Sequence, residues 1–260
     1  MIQLALMYHI VVRSQEERRA LLNEEQPYAL LASEFEQQLA LIKQLSLSFM
    51  SATVTDSEED TENKGVLLTF DDGHASFMHQ VLPLLQQFNA SAIFFVSPGL
   101  MKSRTDFVSR QQLRHCSEQG VVIGSHAWSH QFLPDLSESQ LKIELADSKM
   151  FLEDACSAPV TQLSFPGGRY GKREIDMAMN LGFKRVFTSD IGLIASASDF
   201  IQPRFAIRQN TSAPELTKIL SGDAHYLKMQ QREHQIKALA RSVFGHRNYD
   251  RLYRLFTKNS

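Results

Sequence analysis

The chain has 260 residues, 43% of them hydrophobic, including 17 phenylalanines, and a formal net charge of -2. That much apolar side chain supports a substantial core and excludes disordered, collagen-like and fibrous classes; the length is open to one α/β barrel or two smaller domains. No apolar run approaches the ~18 residues of a membrane span, the opening MIQLALMYHIVVRSQEER has no charge before Arg13 and no small-residue cleavage site, and Cys116 and Cys156 are too few for a disulfide framework and read as buried free thiols. These features give the expectation of a cytoplasmic protein.

In chain order, IQLALMY (2–8) reads as a buried strand, and a helix over 33–45 follows it, with Ser33 and Glu36 as its capping box. The acidic stretch TDSEEDTENKG (55–65) reads as a solvated loop. VLLTF (66–70), SAIFFV (91–96), VVIG (121–124) and TQLSF (161–165) are short apolar runs of buried-strand type. Helical patterns lie after them at 76–88, 109–119, 137–154 and 172–181, and Ser137 with Gln140 makes a second capping box. RVFT (185–188) and RFAI (204–207) are weaker strands.

About seven strands alternating with about six helices, joined by short right-handed crossovers, predict an α/β fold: a distorted (β/α) barrel of parallel strands over residues 1–220. Residues 221–260 hold eight Lys or Arg against three acidic residues and read as a basic, amphipathic helical extension. Such helices either dock on the acidic barrel, the reading preferred here, or lie on an anionic membrane.

In a barrel of this kind the reactive groups gather at the C-terminal ends of the strands. There stand His9, then Asp71 and Asp72, then Ser125, His126 and His130, then Pro166, Gly167 and Gly168, and then Ser189 and Asp190. Each alone has a plain explanation: Asp-Asp-Gly as a turn, His-x3-His as two surface histidines, His9 as a core histidine. Together they place two carboxylates and three imidazoles at one rim. Two adjacent carboxylates are tolerable where a divalent cation lies between them and solvent. Asp72, His126 and His130 make one oxygen and two nitrogen ligands, a set suited to Zn²⁺ with open positions, which leaves Asp71 free to act as a base on an acidified water.

At this point the residues resemble the NodB-like polysaccharide deacetylases of carbohydrate esterase family 4. TFDDG (69–73) resembles the family's first motif and SHAWSH (125–130) its second, with Ala127 where Ser or Thr is usual; SFPGGRYG (164–171) and GFKRVFTSDIG (182–192) are looser matches to the third and fourth. The resemblance implies that Asp71 is the catalytic base, that Asp72, His126 and His130 hold the metal, that the backbone N–H of Gly167 helps hold the oxyanion, and that the substrate is an N-acetylated, or sometimes O-acetylated, saccharide. The usual general acid, a Leu-x-His near the end of the domain, is absent. His225 in GDAHYL has Asp223 where Leu belongs. LMYHIV resembles instead a subgroup with permuted motifs, typified by exopolysaccharide deacetylases of poly-N-acetylglucosamine systems, in which the early histidine, here His9, supplies the acid.

Two further departures stand out. The arginine that precedes the motif-three proline and pairs with the base is missing, since Ser164 and Phe165 stand there; Arg169, Arg204 and Arg208 are candidates to replace it, each with a structural ion pair as the plainer role. The motif-four Trp is missing too, and the only tryptophan, Trp128, either packs beneath the histidines or lines the sugar groove. A non-sugar amidase of the same fold and a non-catalytic carbohydrate-binding module are the competing readings. No nucleic-acid partner is expected, because the barrel is acidic and lacks aromatic stacking motifs.

Overall fold

The computed structural model describes residues 2–53 and 64–244, with side chains as far as residue 236. Most of the acidic stretch 55–65 and the last helical pattern of the tail lie outside the described residues. Eleven strands and nine α-helices are described: β1 (Gln3–Tyr8), β2 (Ile10–Val12), α1 (Gln15–Ala20), β3 (Ala29–Leu31), α2 (Ala32–Gln44), β4 (Ser48–Phe49), β5 (Gly65–Phe70), α3 (Leu82–Phe88), β6 (Ala92–Val96), α4 (Pro98–Ser103), α5 (Arg110–Glu118), β7 (Val122–Ser125), α6 (Glu138–Cys156), β8 (Gln162–Ser164), α7 (Lys172–Asn180), β9 (Arg185–Phe187), β10 (Ile201–Gln202), β11 (Phe205–Ala206), α8 (Ala213–Leu220) and α9 (Ala224–Phe244). No helix among the described residues is long and apolar enough to cross a membrane.

The sheet runs β10-β9-β8-β7-β6-β5-β1-β11, every pairing parallel, with β4 beside the first half of β5 on the side that β6 takes further along. The two outermost strands, β10 and β11, are separated in sequence only by Pro203 and Arg204. Two linking residues span at most about 10 Å. The chain therefore steps from one edge of the sheet to the other within residues 201–206, and the sheet must be curled until its edges nearly meet. That gives seven strand positions around the barrel, as the sequence pattern predicts.

Alternation along the strands sorts the core into two layers. Ala5, Leu67, Ile93, Phe95 and Phe187 form one small cluster, whereas Leu4, Leu6, Val66, Leu68, Phe94 and Val186 join the large cluster beneath the helices. Phe95 and Phe187 sit on strands that are not neighbours, yet their rings are 5.1 Å apart, so the small cluster fills the lumen. Continuing the two-residue period carries His9 after Met7, Asp71 after Thr69, and His126 after Gly124 onto the lumen side at the C-terminal mouth.

Two details differ from the sequence reading. Helix α2 begins two residues earlier than a Ser33 cap requires: Glu34 accepts the N–H of Leu31 at 2.8 Å and Ser33 lies in the first turn. The reason is that β3 runs straight into the helix, so extended Leu31 is the boundary. The pattern over 76–88 is also not one α-helix, since Phe77–Val81 is wound as a π-helix ahead of α3. The Ser137–Gln140 box is present, with Gln140 N–H to Ser137 Oγ at 3.3 Å and Ser137 N–H to Gln140 Oε1 at 2.9 Å.

Candidate active site

Asp71 is 2% exposed and sits on a buried arginine. Arg204 Nη1 donates to Asp71 Oδ1 at 2.7 Å and Nη2 to Oδ2 at 2.8 Å, a bidentate pair of the strong, geometrically specific kind. The guanidinium is itself fixed by Thr188 O, Thr69 Oγ1 and Ser164 Oγ, and it lies over the lumen rings of Phe95 and Phe187. Ser164 Oγ also donates to Asp71 Oδ2 at 3.1 Å. Burial alone would raise the Asp71 carboxyl, but the Arg204 charge, aided by His126 and the hydrogen bonds, outweighs it and leaves the group below its ordinary value. Of the three arginines considered from sequence, Arg204 is thus the one that meets Asp71. It enters the lumen where the chain crosses between the sheet edges.

Asp72, His126 and His130 offer one ligand atom each, all within 4.8 Å of one another. His126 Nδ1 lies 2.9 Å from the carbonyl of Ser164; a proton there leaves the Nε2 lone pair turned to the site, the usual second bond of a metal-ligating imidazole. Asp72 Oδ1 lies 3.4 Å from His126 Nε2 and 3.1 Å from His130 Nε2, yet it is buried and takes no well-aligned hydrogen bond. One carboxylate oxygen and two imidazole nitrogens this close together, with a buried oxygen that lacks an aligned hydrogen bond, are what a divalent cation of the Zn²⁺ type fits. Burial would raise the Asp72 carboxyl as well, and the two imidazoles more than reverse this, holding it well below the carboxylate range.

The backbone at these residues is strained: Asp72 (φ 82), Ala127 (φ 57) and His130 (φ 60) are three of six non-glycine residues with positive φ among those described. Such conformations persist only where the surroundings over-determine them. Glu144 of α6 does this for the histidine loop, accepting the N–H groups of Trp128 and Ser129 at 3.0 and 2.8 Å and the Ser129 hydroxyl at 2.7 Å. Ser97 Oγ adds a bond to the His126 carbonyl at 2.7 Å. Trp128 packs edge-on against Phe151 under the Lys102 ammonium and is not among the residues that line the cavity, so it does not line the groove, and its ring contacts are with Phe151 and Lys102.

A cavity of about 900 Å³ opens over these groups; His9, Asp71, Asp72, His126, His130, Gly167 and Gly168 all line it. His9 is held by its ring against Tyr28, centroids 4.6 Å apart, with Nδ1 buried and unpartnered. Burial pushes this imidazole below its ordinary value, against the opposing pull of Asp72 and Asp71. Gly167 (φ 63) and Gly168 (φ 63) make the turn after Pro166; a Cβ would lie 2.5 Å from Phe132 Cε1 at the first and 2.3 Å from Ser189 Oγ at the second, so only glycine fits. Tyr170 OH donates to Asp190 Oδ2, and His234 of α9 is 3.5 Å from Asp190 Oδ1. His225 is exposed and lies outside the cavity lining.

Sequence reasoning missed Glu144, which looks like any polar residue on a helix, and ranked Arg204 as a structural ion pair. One available signal for Arg204 was the unpaired aspartate itself, since a buried carboxylate demands a cation from somewhere.

Residues 58–186 match the family model described as polysaccharide deacetylase. Curated relatives include YxkH of Bacillus subtilis (strain 168), 28% identical over 142 residues, 55% of this chain and 50% of that one. A peptidoglycan-N-acetylglucosamine deacetylase of Bacillus cereus is 30% identical over 133 residues, 51% of this chain and 60% of that one. The chain spans about half the length of the curated relatives it matches. Among solved structures, the Streptococcus pyogenes deacetylase PplD in complex with acetate superposes with a TM-score of 0.74 at 25% identity, over 85% of this chain and 98% of that one. IcaB from Ammonifex degensii gives 0.71 at 20%, over 85% and 96%, a likeness of fold.

Proposed function

Because the chain belongs to the polysaccharide deacetylases of the NodB-like, carbohydrate esterase 4 type, we propose that it hydrolyses acetyl groups, N-acetyl in the first place, from a saccharide, with a divalent ion held by Asp72, His126 and His130. The observation that carries this reading is the Asp71–Arg204 pair beside that ligand set, with Asp71, Asp72, His126 and His130 all lining one cavity. A bound Zn²⁺ supplies positive charge that acidifies water and favours a developing oxyanion.

The chain's own residues do the rest. Asp71 is ionised at neutral pH and, with both oxygens fixed by Arg204 and Ser164, accepts a proton from the attacking water without reorienting. Gly167, whose positive φ turns the backbone after Pro166, offers its N–H to the oxygen that becomes negative as the acetamide carbon goes tetrahedral. The C–N bond then breaks, and His9, on the cavity wall, gives the amine its proton. An imidazole with a depressed pKa is the stronger donor once protonated, which suits release of a poor leaving group. The products are acetate and the free amino sugar.

The test is acetate release from N-acetylglucosamine oligomers. The purified protein releases acetate, loses the activity to a chelator and recovers it with Zn²⁺; Asp71→Asn retains the metal and is inactive, whereas His126→Ala loses the metal. Binding of the oligomer without any acetate release by metal-loaded protein would instead make the chain a carbohydrate-binding module.

A further inference from the structure

We infer that Arg208 forms an anion subsite in the cavity, so that the preferred acceptor is a saccharide carrying a carboxylate or phosphate near its acetamido group; this rests on the saccharide deacetylase reading above. Two arginines line the cavity, Arg104 and Arg208. Arg104 is neutralised by Glu25 and Asp106. Among the described residues Arg208 has no carboxylate partner: its side-chain hydrogen bond there runs from Nη2 to Tyr28 OH at 3.0 Å. A guanidinium presents five N–H donors in a rigid fork matched to carboxylate and phosphate oxygens, and most of these donors remain free.

The backbone that carries the guanidinium is also fixed. Arg208 N–H donates to Thr211 Oγ1 at 3.0 Å and Thr211 N–H returns to Arg208 O at 2.9 Å, closing a tight turn. That turn is sewn to the Tyr28 segment by Gln209 N–H to Pro27 O at 3.0 Å. The Arg208 guanidinium carbon then rests 4.8 Å from the Tyr28 ring centroid, and Tyr28 is the ring against which His9 packs at a tilt, centroids 4.6 Å apart. Arg208 therefore stands one aromatic ring beyond the proposed proton donor. A sugar whose acetamido group reaches the reacting centre carries its neighbouring substituents towards that point. Of the carboxylates that line the cavity, Glu25 pairs with Arg104, Asp71 with Arg204, Glu215 accepts from Tyr226 OH and Asp72 belongs to the ligand set, while Glu24 and Glu233 also line it; Arg208 is the lining arginine without a carboxylate partner among the described residues, and so the group placed to select for negative charge.

Equilibrium binding by calorimetry to the Zn²⁺-loaded full chain tests this with three N-acetylglucosamine oligomers of one length: neutral, bearing one carboxylate, and bearing one phosphate monoester. Acetate release is followed in parallel. Wild type is expected to bind at least one anionic oligomer about five- to tenfold more tightly than the neutral one, the modest factor reflecting solvent around an exposed arginine; which anionic arm is tighter identifies the source of the charge. Arg208→Ala abolishes the preference, Arg208→Glu reverses it, and Arg208→Lys keeps part of it. Equal binding of all three oligomers by wild type, or a preference that survives in Arg208→Glu, overturns the subsite and leaves Arg208 as a support for Tyr28. An anionic preference lost in Arg208→Glu without acetate release sustains the subsite while the deacetylase reading falls.

Discussion

At the scale of single residues, the site depends on a carboxylate whose charge is matched by one buried arginine. Removing one partner of a buried pair leaves an uncompensated charge, at a cost of about 3–5 kcal/mol. Arg204→Ala is therefore expected to lower the denaturant midpoint strongly and to abolish acetate release, because Arg204 is fully buried and Asp71 has no second arginine or lysine partner among the described residues. The sign of the pH dependence follows from the depressed Asp71 carboxyl: its contribution to stability is fully present above the ordinary value of 3.8 and is lost as pH falls through the lower folded value. Denaturant midpoints followed downward through that window should steepen for wild type and flatten for Asp71→Asn; equal slopes would mean that the pair contributes nothing to folding. His9 makes a separate prediction. His9→Ala should keep the metal and the fold yet lose roughly 10²- to 10⁴-fold in amide hydrolysis, with far less loss on an activated ester whose leaving group needs no proton. Loss of the metal in this variant would make His9 a ligand and not an acid.

At the scale of elements, the loops after β5, β7 and β8 bring Asp71, Asp72, His126, His130 and Gly167 to one mouth, the first two loops through positive φ at Asp72, Ala127 and His130, which those residue types do not favour, and the third through glycines, which do. The turn at Gly168 offers a controlled test. Gly168 and Gly182 both have positive φ, but a Cβ at Gly168 would meet Ser189 Oγ at 2.3 Å and its backbone N at 3.0 Å, whereas nothing lies within 4 Å at Gly182. Both alanine variants carry the backbone strain, and only Gly168→Ala adds overpacking, by about 1–3 kcal/mol. It should unfold at lower denaturant than Gly182→Ala and lose activity, while Gly182→Ala stays active. These same loops show how much could be read in advance. The strands with continuous apolar runs, Gln3–Tyr8 and Gly65–Phe70, and the residues one period beyond them, His9 and Asp71, follow from alternation and need no tertiary knowledge. The Ser33 cap failed because a three-residue strand, Ala29–Leu31, set the boundary through its pairing with β2, and three residues carry too weak a pattern to be seen. Arg204 and Glu144 belong to the same class: their partners are 133 and 15 or 16 residues away in sequence, so only the closed barrel reveals them.

At the scale of the whole molecule, closure by residues 201–206 and the docking of helices around the barrel act together. The N-terminal part of α9 is packed on this body: Tyr226 and Leu227 are buried, Gln231 Nε2 donates to Ile191 O at 3.1 Å, and Tyr226, Gln230, Glu233 and His234 line the cavity. Residues 226–234, at the start of the basic extension, are thus docked on the barrel body. The helices that connect β6 to β7 and β7 to β8, α5 and α6, each contribute one buried free cysteine, Cys116 and Cys156. Burial pushes the Cys116 thiol up to about 12 and the Cys156 thiol up to about 11, so little of either is thiolate near neutrality, and the thiolate is the reactive form. An aromatic disulfide reagent at mildly alkaline pH should modify both cysteines at once in denaturant and, in the native protein, only slowly, as the structure opens. Their labelling under native conditions reports how this layer opens. If α5 and α6 open only with the barrel, both thiols react at one rate, and Arg204→Ala, which weakens the lumen on which the barrel rests, accelerates both by the same factor. Labelling of one thiol well before the other, or rates insensitive to Arg204→Ala, would show that the helical layer opens independently of the barrel that holds the site.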